Sequence, residues 1–290
     1  VKSKGLYHYL AYLLVFIVLI CGAVSFNLRL TTIKQSYPGF TNPVFLPSAS
    51  TLRLASLDFE GLAADLVWIK GAIYFGSHYR QRGFRFPWME RLLNLATDLD
   101  PLYYDVYWYG SSLLPDVYQS IRLLKKGMKY FPNNWKFPEM IGFDYLYYLK
   151  DYKSAGKYYE IASTKPGHPP FVPSLASRFY TEAGELNAAI RVLTNFYNTT
   201  KRKDLKQEFG LRIVQLEDIK LLQSMVSRYR LSFGTYPKDL KELVDKGFVE
   251  TLPKEPFGGY YFLDPDDHRV KSSTDPLTTP PGGRRKNGKG

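Results

Sequence analysis

Residues 263–268, LDPDDH, put Asp264, Asp266 and Asp267 within one short turn. Carboxylates at that spacing offer the hard oxygen ligands that a calcium ion takes. The same residues also suit a plain hairpin turn, because Asp accepts bonds from nearby backbone N–H groups and Pro fixes φ. A second acidic group, Asp98, Asp100 and Asp105, could pair carboxylates for acid–base work; it more simply marks the end of one helix and the start of the next. No two of the four His have metal-ligand spacing. The chain contains no phosphate-loop motif, no Gly-x-Ser-x-Gly and no His-Glu-x-x-His. Calcium is thus the one cofactor raised, no residue is named as catalytic, and the expectation is a protein that is not an enzyme.

The acidic turn needs a scaffold, and residues 233–273 read as a small helix plus β-hairpin module. Pro237 suits the first turn of a helix whose apolar stripe is Leu240, Leu243 and Val244. Gly247 is a fitting C-terminal cap. YYFLD and RVKSS flank PDDH as two strands. Tyr236, Pro237, Leu240, Leu243, Leu252, Pro253, Pro256, Gly258 and Tyr260 together resemble the C-terminal regions of type II secretion pseudopilins. Glu255 stands at that family's acidic position before the second Pro. Some pseudopilins bind calcium near this region, so the resemblance also points at the acidic turn.

Residues 203–232 form one long amphipathic stretch, with Leu211, Ile213, Val214, Leu216, Ile219, Leu221, Leu222 and Met225 along its apolar side. Such a helix could cap the open end of a helical array. Ahead of it, Ala155 and Ala189 align at an offset of 34 residues, as do Pro132 and Pro166. Gly142, Tyr145, Asp151-Tyr152, Ala155, Tyr159 and Ala162 make one repeat, closed by Pro166. Ala176, Tyr180, Gly184, Ala189 and Leu193 make the next, and Tyr107, Gly110, Ile121 and Pro132 an earlier one. This pattern resembles the tetratricopeptide family, whose repeat is a 34-residue helix–turn–helix. The resemblance covers residues 62–200 and implies an α-solenoid of about three to four helical pairs that binds a protein partner on its concave face. Gly110, Gly142, Tyr145, Ala155, Tyr159, Ala162 and Ala189 are then packing residues. Tyr147, Tyr148 and Tyr158 are extra to the repeat and become candidates for a partner-binding groove. Further upstream, Leu62, Leu66, Ile69, Ile73 and Tyr74 fall near helical spacing, with Ala63, Ala64 and Gly71 small enough for close helix approach.

Between Gly5 and Asn27 the chain carries no Asp, Glu, Lys or Arg. About 20 apolar residues span the roughly 30 Å hydrocarbon core of a bilayer. Tyr7, Tyr9 and Tyr12 gather at one end, as interfacial aromatics do. Residues 1–27 therefore read as a cytoplasmic stub and transmembrane anchor in the inner membrane, single-pass, with the soluble part periplasmic. Two competitors stay open: a cleaved signal peptide, with Ala23-Val24-Ser25 as its site, and prepilin-type processing after Gly5, although Leu10 stands where pseudopilins carry Glu.

The remaining organisation follows from composition. Residues 28–56 are Pro/Ser/Thr-rich and read as a linker, 57–202 as the helical array, 203–232 as the capping helix, 233–273 as the module and 274–290 as a disordered basic tail. Of the 290 residues, 45% are hydrophobic and 16% aromatic, enough for a sizeable core. The net charge of +12 is partly diffuse and partly in the tail, so no nucleic-acid partner is expected. Cys21 is the only cysteine, so no intramolecular disulfide forms. The whole reads as a mainly α protein: an anchored scaffold for unnamed partner proteins. A pseudopilin-like secretion or pilus component, and a small-ligand or enzymatic role for a Tyr-rich groove, are the alternatives.

Overall fold

A computed structural model describes residues 13–26, 28–29, 46–79 and 86–275. Helix α1 covers 13–26, and every side chain from Leu13 to Ile20 is exposed. Among the described residues no helix is long and apolar enough to cross a membrane. Residues 1–12, which include the start of the expected anchor, lie outside the described residues. The chain divides into two compact units, residues 1–106 with 113–115, and residues 107–112 with 116–290.

The first unit packs α2 (Ala49–Ser56), α3 (Glu60–His78) and α4 (Met89–Leu99) together. Ser48 caps α2 by accepting from the Thr51 N–H at 3.1 Å, so helix occupies the end of the segment read as a linker. Ala64, Leu95 and Leu99 form the buried centre, with Leu46, Leu52, Val67 and Tyr103 against it. On α3 only Tyr74 of the expected apolar stripe is buried. Ala64, Gly71, Tyr74 and His78 are buried, whereas Leu62, Leu66, Ile69 and Ile73 are exposed. The small face lies against α4, and a Cβ at Gly71 would make ordinary contact with Leu92 at 3.8 Å and Met89 at 3.9 Å. Close approach along the small face brings more atoms of α4 into van der Waals range than the bulky face would allow.

In the second unit α6 (Val117–Tyr130), α7 (Lys136–Tyr147), α8 (Tyr152–Ser163), α9 (Val172–Glu182), α10 (Leu186–Thr199) and α11 (Lys203–Phe233) each pack on the next. Helix α5 (Tyr104–Ser112) precedes them. The starts follow from the sequence: Asp116 caps α6 through the Tyr118 N–H, and Asp151 caps α8 through the Ser154 N–H. Bonds from the Ser154 side chain and N–H hold the Asp151 carboxyl below its ordinary range. Pro173 sits in the first turn of α9, where its missing N–H costs nothing.

One packing device recurs between helices. A Cβ at Gly142 on α7 would stand 2.6 Å from the Tyr159 ring of α8, and one at Gly156 on α8 would stand 3.0 Å from the Tyr180 ring of α9. The same helix that offers the glycine also offers a carboxylate. Tyr159 donates to Glu139 at 3.3 Å, and Tyr180 donates to Glu160 at 2.6 Å. Glu139 and Gly142 lie three apart and Gly156 and Glu160 four apart, so each pair shares a helix face. The ring fills the space a Cβ would take, and its hydroxyl reaches an acceptor that burial would otherwise deny it. Ala155, Ala162 and Ala189 are fully buried in the same core, Tyr145 packs against it, and Gly110 is buried in α5.

The C-terminal module folds onto α11. It contains α12 (Lys241–Asp245) and a hairpin of β1 (Tyr261–Leu263) and β2 (Val270–Ser272), antiparallel with Tyr261 opposite Ser272. Leu216, Ile219, Leu222 and Val226 of α11 share one core with Leu240, Leu243, Tyr261, Leu263 and Val270. Helix α11 packs on α10, and the module covers a further part of it. Val214 and Leu221, expected on its apolar side, are about half exposed. Thr274 and Asp275, read as the start of a loose tail, belong to the module, and Asp275 is only 7% exposed. Residues 276–290 lie outside the described residues.

Candidate functional site

The acidic turn is organised around a cation of its own. Lys271 donates to Asp264 Oδ2 at 2.6 Å and lies 2.9 Å from Asp267 Oδ2. The other carboxylate oxygens serve the turn: Asp264 Oδ1 accepts from the Asp266 N–H and Asp267 Oδ1 from the Arg269 N–H. Burial opposes both charges, yet their mutual hydrogen bonds outweigh it. Asp264 is held below its ordinary value and Lys271 above. The expected calcium ligands Asp264 and Asp267 thus converge on the Lys271 ammonium, and Asp266 makes no contact with it. Among the described residues no group of three or more His, Cys, Asp or Glu is arranged to hold a metal ion.

Glu255 forms the module's buried latch. It is 2% exposed and all its lone-pair directions are used. Oε1 accepts from Thr274 Oγ1 at 2.7 Å, Ser272 Oγ at 3.1 Å and Gln215 Nε2; Oε2 accepts from the Phe257 and Gly259 N–H groups, both at 2.8 Å. Burial pushes this carboxyl up, but the donors, Thr274 foremost, bring it below its ordinary range. Five donors on a carboxylate make a strong charge-assisted anchor, and it ties the segment 255–274 to α11. Gln215 is absent from the sequence reading. The signal was there: it stands one helical turn before Ile219, in phase with an apolar stripe, where an amide needs buried partners.

The three candidate groove tyrosines separate into two places. Phe143 and Tyr147 stack with ring centres 5.4 Å apart, and Tyr148 meets Tyr147 edge-on at 5.0 Å. These rings are 43%, 58% and 61% exposed, and the Lys150 ammonium lies 5.3 Å from the Tyr147 ring centre. Tyr158 instead stacks on Tyr145 at 5.5 Å beneath Lys125. Tyr145 lies two residues from both Phe143 and Tyr147, so it projects from another side of α7. Phe143 is the member of the exposed cluster that the repeat pattern did not single out.

Two cavities open beside the module, of about 340 Å³ and about 370 Å³, and Asp275 lines both. The first lies against Glu182, Gly184, Gln223, Arg269 and Lys271. Burial, then the nearby Asp275 carboxylate, push the Glu182 carboxyl up against the opposing charges of Lys271, Arg178 and Arg269. The second lies among Ser177, Arg178, Leu193, Phe209 and Phe257. Arg212, in its wall, donates to Asp275 Oδ2 at 3.1 Å and to Gln215. Of these cavity residues Gly184 and Leu193 belonged to the repeat pattern and Arg269 and Lys271 to the strand RVKSS; the others belonged to no sequence motif.

What the fold defines is a mainly helical protein of consecutive packed helix pairs with a small β-hairpin at its C-terminal end. No protein-family model matches the chain, and no curated protein matches it.

Proposed function

We propose that this chain is a scaffold of the tetratricopeptide type, anchored in the inner membrane by its N-terminal apolar run, that docks partner proteins of an envelope assembly on its periplasmic side. The observation that carries the reading is the exposed cluster of Phe143, Tyr147 and Tyr148 on α7. Stacked aromatic rings left in water on a rigid helix pair supply large, pre-organised contact area, and aromatic residues dominate protein-interface energetics. The repeat reading draws support from Ala155 and Ala189, both fully buried at the 34-residue offset. The anchor reading draws support from α1, whose apolar side chains find no cover within the described chain.

The test compares proteins retained from isotope-labelled envelope membranes by the native chain and by the Phe143→Ala/Tyr147→Ala/Tyr148→Ala variant. A partner set lost at least tenfold from the variant, with its thermal midpoint unchanged, supports the reading. The same set held equally by both chains contradicts it.

A further inference from the structure

Helix α3 turns a seam of apolar side chains outward. Phe59 at its N-terminal cap, then Leu62, Leu66, Ile69 and Ile73, are each more than half exposed. Their steps run three, four, three and four residues, which is the alternation of the a and d positions of a heptad. Phe59, Leu66 and Ile73 fall at a, and Leu62 and Ile69 at d. A stripe this narrow is the kind that a second helix covers by knobs-into-holes packing. Ala64 and Gly71 fall at f, on the opposite side, where a Cβ at Gly71 would touch Leu92 and Met89 of α4. Helix α4 thus holds α3 from behind.

We infer that this seam pairs with α3 of a second copy of the chain, parallel and in register, as a short two-stranded coiled coil. The flanking charges select this occupant and its direction. Within α3 the e and g positions hold Ala63, Asp65, Lys70, Ala72 and Ser77, so Asp65 at g and Lys70 at e are the charges beside the seam. In a parallel pair a g residue reaches the e residue five positions on in the second helix, and such contacts set partner and orientation. Asp65 and Lys70 are five apart, and two-fold symmetry makes their contact twice. In an antiparallel pair g faces g and e faces e; with the a and d layers matched, Asp65 would meet Ala72 and Lys70 would meet Ala63. Within one helix residues five apart lie about 140° from each other, so the two charges do not pair inside a single chain. Both are exposed. Tyr103 donates to Asp65, and a carboxylate accepts further bonds. Helices α2 and α4 already pack on α3, so the nucleation cost that limits short isolated helices does not arise on pairing. This surface is distinct from the exposed aromatic cluster on α7, and the inference rests on neither the scaffold nor the anchor reading.

The test uses the full chain in detergent micelles, carrying Cys21→Ser so that an introduced cysteine is the one thiol. Ile69→Cys at a d position should form an intermolecular disulfide under mild oxidation, because parallel pairing sets position 69 against itself within bridging distance. Lys157→Cys, on the exposed side of α8, should not. Leu66→Asp added to the Ile69→Cys chain should slow disulfide formation at least tenfold. Leu66 is exposed in the single chain, so the far-ultraviolet circular dichroism of that variant should not change. Asp65→Lys and Lys70→Asp should each weaken the pair about tenfold at low salt, by turning two opposite-charge contacts into two like-charge ones, and together they should restore it. Should Asp65→Lys disturb the fold through Tyr103, Lys70→Asp and Leu66→Asp still decide. An absent disulfide at position 69, as for a seam covered by lipid or by another segment of the same chain, would overturn the inference. Equal rates at 69 and 157, a rate indifferent to Leu66→Asp, as for pairing through the N-terminal apolar run, or charge reversals without effect would overturn it too.

Discussion

Asp144 on α7 is 8% exposed, and its Oδ2 accepts from Ser120 Oγ of α6 at 2.8 Å. Burial pushes its carboxyl from an ordinary 3.8 up to about 6, with the Ser120 bond only partly opposing. The sign of the consequence is definite. Between about pH 4 and 6 the folded chain holds a proton that the unfolded chain has released, so stability falls as pH rises through this window. Above about pH 6 the whole cost is present, and the gap between 3.8 and about 6 corresponds to roughly 3 kcal/mol. Asp144→Asn keeps an oxygen acceptor for Ser120 and removes the charge, while its new NH2 group costs about 1 kcal/mol or more if it stays unpaired. The variant should therefore be more stable than the native chain by about 1–2 kcal/mol at pH 7.5, and that advantage should shrink by about 2 kcal/mol on going to pH 4.5. Urea unfolding followed by Trp135 fluorescence, with the other three Trp replaced by Phe in both chains, reads the region around α7. A difference between the two chains that is the same at both pH values, or that grows toward acid, refutes the reasoning.

Other outcomes follow from the same geometry. Gly142→Ala puts a Cβ 2.6 Å from the buried Tyr159 ring and should cost about 1–3 kcal/mol in thermal or urea unfolding, outweighing the helix-propensity gain. Gly76→Ala, where nothing lies within 4 Å, should instead stabilise α3 by up to about 1 kcal/mol. Glu255→Ala leaves Gln215, Ser272 and Thr274 without their carboxylate, and amide exchange over 248–275 should accelerate at least tenfold relative to α8. In the native chain the Glu255 contribution is present above the ordinary carboxylate range and lost as pH falls through its lowered folded value, so protection factors over 248–275, corrected for the intrinsic exchange rate, should fall relative to α8 as pH drops through that value. Calorimetric titration of the native chain with calcium should stay flat, because Lys271 already sits between Asp264 and Asp267; saturable heat would show that calcium displaces it.

Local grammar was legible in the sequence wherever a residue acts on its own neighbours. Asp116 and Asp151 cap the helices that follow them, and the PDDH turn joins two strands. The small residues Gly142, Ala155 and Ala189 mark where helices come close. What stayed hidden depends on which of two apolar faces is covered. Helix α3 is apolar on both sides, so spacing alone could not say that Ala64 and Gly71 go inward while Leu62 and Ile73 stay out. Helix α11 reads as a cap on the array, and nothing local reveals that the module that follows it will also fold back over it. The acidic turn looked like a cation site for the right reason, since its carboxylates do converge on a positive charge. That charge is Lys271, on the second strand of the same hairpin.

The account's central claim is that the exposed rings of α7 are a docking surface for protein partners. A photo-crosslinking residue placed at Tyr147 in cells, with a second chain carrying it at the exposed Lys157 of α8 as reference, tests this most directly. The account predicts a discrete adduct of defined mass from position 147, absent from position 157 and lost when Phe143→Ala and Tyr148→Ala are added. Identical adduct patterns from both positions, or a position-147 adduct indifferent to its neighbouring rings, would contradict it.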